Sequence, residues 1–304
     1  MIHVIGNAAI DTILSVERFP RPGETIVAGG VAEDLGGKGA NQAIAVARCG
    51  VPVRLVAAIG ADAAGARIQQ TLEAEGVATD GLALFRSPTD RCVITVDAEG
   101  ENTIVSLIDA ARGFDPTADP SLADAIAPSD FALMQGNLRP EVTRRALALA
   151  RRRGAATALN PSPAYPAADY DWRLVDLAFV NRGEAIELGG TADPLAAAHA
   201  LRDRGAGAVA LTLGAAGAAI VSAEGTVRVD APVAAAVDTV GAGDVFCGTL
   251  IAARVLGRPW PEAARIAVAA ASIVVGRRGV LASFPTRAEM TELFSRLGVE
   301  DLRS

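Results

Sequence analysis

Short apolar runs alternate along this chain with helix-period segments, and that alternation restricts the fold more than any other feature. Ile2 to Gly6, Val53 to Ile59, Phe131 to Gln135, Ala155 to Asn160, Leu177 to Val180 and Ala208 to Leu213 read as buried strands. Ala63 to Glu75, Pro140 to Arg152 and Pro194 to Asp203 read as helices between them. Strands apolar on both faces and joined through helices imply a mostly parallel sheet covered on both sides. Two stretches break the rhythm. Asp11 to Val31 and Arg91 to Leu107 alternate polar and apolar residues with no helix between their members, which predicts a small sheet projecting from the core. With no internal repeat or disordered linker, residues 1–304 are expected to form one unit, with the projecting segments at about 11–35 and 90–108.

The segment with the most chemistry in it is Asp238-Thr239-Val240-Gly241-Ala242-Gly243-Asp244, followed at once by a helix-forming run from Val245 to Leu256. Gly241, Ala242 and Gly243 allow a tight turn and present successive N–H groups unobstructed. Where such a turn opens a helix, the unpaired donors and the helix dipole suit an anionic oxygen. Asp244 is placed in the first helical turn, so a base stands beside an anion hole, as phosphoryl transfer to a hydroxyl requires. Gly-Ala-Gly-Asp alone also reads as a plain helix start with Asp as the cap.

A second glycine-rich segment lies far upstream: Gly36-Gly37-Lys38-Gly39-Ala40-Asn41-Gln42, then an apolar helix from Ala43 to Arg48. Lys38 is the only lysine, against 27 arginines. A compact ammonium where every other basic position is a guanidinium suggests a small anion or a hydroxyl as its target. The pattern is not a P-loop, because position 32 is alanine and Gly39 follows Lys38.

These two segments resemble the signature regions of the ribokinase-like (PfkB) carbohydrate kinases, most closely the ribokinases among them. The resemblance runs from about Val4 to Pro285, with the motifs in the family's order and spacing. Phe19-Pro20-Arg21-Pro22-Gly23-Glu24-Thr25, Gly100-Glu101-Asn102, Asn160-Pro161-Ser162-Pro163-Ala164 and Thr212-Leu213-Gly214 match as well. It implies a three-layer α/β/α fold with a mostly parallel central sheet, a β-lid over the sugar, a homodimer through that lid, and ATP-dependent phosphorylation.

The resemblance also implies roles for individual residues. Asp244 is the base, with Gly241, Ala242 and Gly243 as the anion hole. Asp11, Gly37, Lys38, Gly39, Asn41, Asn137 and Asp244 line the sugar pocket. Asn181, Glu184, Thr212, Gly214, Gly217 and Gly243 serve the nucleotide, with Mg²⁺ held mainly through ATP phosphates and waters. Asp238 and Val240, with Val274, Arg277, Gly279 and Ser283, hold a monovalent cation, K⁺, largely through backbone oxygen. Read alone, Asn181-Arg182-Gly183-Glu184 is a helix start, Asp11 a turn residue after a strand, and Gly279 or Ser283 ordinary loop chemistry.

Bulk properties exclude other classes. The net charge of −7 and a pI near 5 argue against nucleic acid or an anionic membrane as partner. Cys49, Cys92 and Cys247 show no metal or redox spacing and read as buried thiols of a cytoplasmic protein. His3 and His199 lie far apart in sequence, against a histidine metal site or hydrolase triad. No secretory signal or membrane span is read in the chain. An NAD-dependent oxidoreductase would share the α/β alternation, but Gly6-Asn7-Ala8 follows the first strand in place of a dinucleotide fingerprint.

Two departures bear on the substrate. Ala9 stands where ribokinases carry Asn two residues before the sugar-binding Asp, with Asn7 nearby, and Asn137 stands where they carry Glu. Loss of a hydrogen-bonding group from a polar pocket shifts discrimination strongly. Ribose, phosphorylated on its primary hydroxyl, is the first expectation. Another sugar, or a nucleoside using space freed at Ala9, is the alternative, and a non-catalytic sugar sensor on the same fold is the alternative of another class.

Overall fold

The computed structural model describes residues 1–99, 101–164, 170–232 and 236–297. Gly100 of the Gly100-Glu101-Asn102 stretch and the last seven residues of the expected unit lie outside them. The strands are β1 (Ile2–Ile5), β2 (Ala9–Ser15), β3 (Gly30–Gly36), β4 (Val53–Gly60), β5 (Ala78–Phe85), β6 (Arg91–Val96) and β7 (Asn102–Leu107). They continue as β8 (Phe131–Gln135), β9 (Ala156–Asn160), β10 (Leu177–Asn181), β11 (Ala208–Thr212), β12 (Ala218–Ser222) and β13 (Gly225–Val229).

Nine strands form one sheet in the order β13-β12-β11-β10-β9-β8-β1-β4-β5. From β5 to β11 every pairing is parallel, and β12 and β13 extend the edge as an antiparallel hairpin. Alternate residues of the strands feed two separate cores. Leu177, Phe179, Ala208 and Ala210 pack with helices Lys38–Arg48, Ala63–Ala74, Ala242–Val255 and Trp260–Val275 on one face. Ala178, Val180, Val209 and Leu211 pack with helices Pro140–Arg152 and Pro194–Asp203 on the other. The strand period of two thus builds the three layers directly.

The two stretches that break the rhythm form a second sheet, β3-β2-β6-β7. Its strands begin and end differently from the sequence reading: β2 starts at Ala9, so Asp11 lies inside a strand and not in a turn, and β3 runs on through Asp34 to Gly36. The buried Asp90 carboxylate accepts from the N–H groups of Ala110 and Ala111 at 2.9 and 3.1 Å, and its carbonyl accepts from Ile10 N–H at 3.0 Å, tying this lid to the core. Strand β5, the β12–β13 hairpin and helix Trp260–Val275 were not anticipated, whereas helix Arg182–Gly189 begins where the Asn181 to Glu184 stretch reads as a helix start. Among the described residues, no helix is long and apolar enough to cross a membrane.

Candidate active site

Polar residues gather at one end of the parallel sheet. Asn7 follows β1, Asn137 follows β8, and Asn160, Asn181 and Thr212 are the last residues of β9, β10 and β11. Carboxyl ends of parallel strands are where α/β folds bind ligands. The Lys38–Arg48 helix starts against this edge because two glycines permit it. Gly37 has φ +90°, and a Cβ there would lie 2.8 Å from Ala8 Cα; a Cβ on Gly39 would lie 2.6 Å from Asn7 O. Gly39 is buried in that contact, its N–H donating to Asn7 Oδ1 at 3.3 Å. Asn7 is therefore used in holding the turn.

The helix so placed presents Asn41 and Gln42 to Asp244, across more than two hundred residues of sequence. Asn41 Nδ2 donates to Asp244 Oδ2 at 3.1 Å, and Gln42 Nε2 donates to Asp244 Oδ1 at 2.9 Å. Lys38 Nζ stands 4.0 Å from Asp244 Oδ1 with about a third of its side chain exposed, and the aspartate beside it raises the lysine pKa. Gln42 is completely buried; it also donates to Asn160 Oδ1 at 3.1 Å and accepts from Gln135 Nε2 at 2.8 Å. Gln135 in turn packs on Gly6, where a Cβ would lie 1.8 Å from its Oε1. This amide chain was missed in the sequence reading. A glutamine inside an otherwise apolar helix was its available signal.

Asp11 is also buried. Burial raises its pKa to about 6 against a stabilising bond from the Cys92 thiol, with the Asp34 and Asp244 carboxylates adding to the rise. Among the described residues, three oxygens of candidate sugar-binding residues are buried without a partner: Asp11 Oδ1, Asn41 Oδ1 and Asn137 Oδ1. Buried acceptors are ordinarily paired, so unpaired ones at a strand-end cleft point to hydroxyl donors of a ligand. Of the cysteines, only Cys247 is buried. Cys49 and Cys92 are half-buried, Cys92 because it lies on the lid opposite Asp11.

The turn before Asp244 has Gly241 at φ +81° as the residue preceding the helix Ala242–Val255. The first intrahelical bond runs from Val245 N to Gly241 O, and Ala242 N–H donates to Thr239 O at 3.3 Å. Ala242 N–H is thus engaged within the turn. The N–H groups of Gly243 and Asp244 precede the ladder without an acceptor among the described residues. Gly243 is exposed, and a Cβ there would meet nothing within 4 Å.

The other candidates fall into two groups. Asn181 and Glu184 form a reciprocal capping box at 2.9 Å each, confirming the helix-start reading while leaving Asn181 exposed. Thr212, Gly214 and Gly217 shape the turn into β12, Gly217 at φ +83° with its carbonyl accepting from Leu213 N–H at 2.8 Å. On the side of the Gly241 turn, Asp238 accepts from Val240 N–H at 3.0 Å and from Gly279 N–H at 3.4 Å. Val274 O accepts from Arg277 N–H at 2.9 Å, the Arg277 side chain pairs with Glu289, and Ser283 Oγ donates to Val280 O at 2.6 Å. One carboxylate and several carbonyls on two facing segments fit a weakly hydrated cation. Among the described residues, no three His, Cys, Asp or Glu side chains cluster to hold a metal ion.

The pattern of the pfkB family carbohydrate kinases matches residues 1–287. The chain belongs to that family. It is 33% identical to the ribokinase of Haemophilus influenzae over 298 residues, covering 96% of this chain and 97% of that one. It is 34% identical to the mouse ribokinase over 260 residues, covering 82% and 80%. An Arabidopsis thaliana ribokinase complexed with ribose and ATP superposes with a TM-score of 0.87 at 27% identity, covering 96% of this chain and 98% of that one. As a carbohydrate kinase the protein is a phosphotransferase acting on a sugar hydroxyl, and the α/β/α fold expected from the sequence is the fold of these relatives.

Proposed function

We propose that the protein transfers the γ-phosphate of ATP to the primary hydroxyl of a free pentose, ribose first among them. The observation that carries this reading is the set of buried oxygens on Asp11, Asn41 and Asn137 that find no partner among the described residues, with Asn41 bonded to Asp244 and the N–H groups of Gly243 and Asp244 free of acceptors there. Asp244 takes the proton of the attacking hydroxyl, oriented by Asn41 and Gln42. The N–H groups of Gly243 and Asp244 receive the charge of the transferring phosphoryl, with Lys38 at the edge of the same space. Asn181, Thr212, Gly214 and Gly217 border the nucleotide, with Glu184 fixing Asn181. Mg²⁺ carried on the phosphates, near Asn181 and Glu184, supplies charge neutralisation when bound. K⁺ would be held by Asp238 and the carbonyls of Val240, Val274, Arg277, Gly279 and Ser283, stiffening the Gly241 turn.

The ribokinases aligned over nearly the whole chain support a free sugar over a nucleoside. The lid displays Val93 and its cross-strand partner Val105, 40% and 72% exposed, with Val31 at 70%, an apolar surface suited to a homodimer through the lid. The test is ADP release from Mg·ATP across pentoses, hexoses and nucleosides, with and without K⁺. Ribose turnover stimulated by K⁺ is expected. Turnover restricted to a nucleoside would replace the pentose, and nucleotide binding with no acceptor would favour a sensor.

A further inference from the structure

Asp34 on β3 lies directly across the ladder from Asp11 on β2. Its carboxylate leaves the lid. Oδ2 accepts from Val280 N–H at 3.0 Å and Leu281 N–H at 3.1 Å, while Oδ1 accepts from Leu35 N–H at 2.8 Å within its own strand. Val280 and Leu281 open the short 3₁₀ turn Leu281–Ser283, whose first donors have no partner inside the turn. Bonds from N–H groups to a carboxylate are stronger than those to a neutral acceptor.

The turn ends at Phe284, 1% exposed, whose ring lies against Gly241: a Cβ built there would be 2.6 Å from Phe284 Cε1. Arg48, at the end of the Lys38 helix, donates through Nη1 to the carbonyls of Leu281 and Phe284 at 3.4 and 3.0 Å. Asp238 holds the adjacent Gly279 N–H. Residues 279–284 are therefore clamped between the lid, the Lys38 helix and the anion-binding turn. Packed segments of this kind move together, because close-packed interiors transmit displacement.

We propose that Asp34 is a positioning residue that couples the lid strand carrying the sugar contact to the Gly241 turn that receives the phosphoryl group. The inference rests on the reading of the site given above. Sugar bound at Asp11 fixes the β2–β3 pair, Asp34 passes that position to residues 280–284, and Phe284 passes it to Gly241. Coupling of this kind is reciprocal, so nucleotide binding tightens sugar binding by the same factor. Nothing in the chain of contacts requires Asp34 to touch either ligand.

The experiment is calorimetric titration of the full chain with Mg·ADP, with and without saturating D-ribose, for wild type, Asp34→Ala and Asp34→Asn. In wild type, D-ribose is expected to tighten Mg·ADP about fivefold or more, and in Asp34→Ala by less than about twofold. A purely structural role would lower the melting temperature or both separate affinities and leave their coupling ratio intact. Asp34→Asn keeps one acceptor oxygen and should give an intermediate ratio, which decides the matter if Asp34→Ala does not fold. Amide exchange supplies a second readout: D-ribose should slow exchange across residues 279–284 in wild type and not in the alanine variant. Equal coupling in wild type and variants, or none in wild type, overturns the proposal alone. Binding of Mg·ADP with no binding of D-ribose overturns the ribose reading and the proposal with it.

Discussion

Gln42 donates its amide N–H to Asp244 Oδ1 across 2.9 Å, while Gln135 and Asn160 hold the rest of that amide in place. Asp244, the proposed base, is thus oriented by a side chain that is itself fixed at three points and entirely buried. Replacing Gln42 by leucine keeps the volume and removes the donor. A hydrogen bond to a charged group contributes about 1.5–3 kcal/mol, so kcat should fall about tenfold to a hundredfold. The sugar KM should change far less, because Asp11 and Asn137 are untouched. Asp244→Asn should cost more, about 10²–10⁴ in kcat. Steady-state kinetics of both variants checks the order, and a Gln42→Leu enzyme with wild-type kcat would remove Gln42 from the mechanism.

Much of this was legible from the sequence, and the limits have physical causes. The strands of the parallel sheet could be read because they are buried on both faces and appear as continuous apolar runs. Strand β5 could not, since Ala78–Phe85 sits at the sheet edge and mixes Asp80 and Gly81 with Leu82 and Leu84. Asp244, Asn41 and Lys38 stood out through glycine-rich spacing. Gln42, Asn160 and Asp34 act through partners far away in sequence, and local pattern does not register such pairs. Read alone, Asp11 gave a turn residue, because β2 starts at Ala9, with only three residues between it and the end of β1, and local pattern does not separate a strand so close behind another from a turn.

The buried Asp11 carboxyl gives a pH dependence of definite sign. Its folded pKa of about 6 lies above the usual 3.8, so the fold favours the protonated form. The stability associated with that proton is complete below about pH 4 and is lost as pH rises through about 6. Asp11→Asn should therefore raise the melting temperature at pH 7.5, by a stabilisation on the order of 2 kcal/mol, and leave it little changed near pH 4. Sugar affinity runs the opposite way. Wild-type sugar KM should rise as pH falls below about 6, since a protonated Asp11 loses acceptor capacity. Melting curves and KM profiles over pH 4–8 test both arms; a wild-type KM flat through pH 6 would contradict the role given to Asp11.

A lid dimer would bury Val105, which pairs across the ladder with Val93 on an exposed apolar surface. Val105→Lys places an ammonium in that surface and should shift the protein to monomer. Light scattering after size exclusion at micromolar concentration reads the outcome. The fold should survive, because Val105 is 72% exposed in the single chain. Loss of dimer with retained melting temperature is the expected pair of results, and a variant that stays dimeric would place the interface elsewhere.

Two glycines of the same turn should answer mutation in opposite ways. Gly241 has φ +81°, and a Cβ there would lie 2.6 Å from Phe284 Cε1, so Gly241→Ala strains the backbone and displaces a buried ring. The cost should be on the order of 1–3 kcal/mol, visible as a lowered melting temperature before any assay is run. Gly243 has a helical, negative φ and open space where its Cβ would go. Gly243→Ala should therefore fold as well as wild type or slightly better, since alanine favours the helix. Its methyl group, however, projects into the exposed space beside the free N–H groups of Gly243 and Asp244, where the phosphoryl oxygens would sit. Activity should fall by about 10²-fold or more, as for loss of one anion-hole donor. Differential melting and ADP release measured on the two variants side by side separate the effects. An active Gly243→Ala enzyme would mean that the phosphoryl group does not approach this turn.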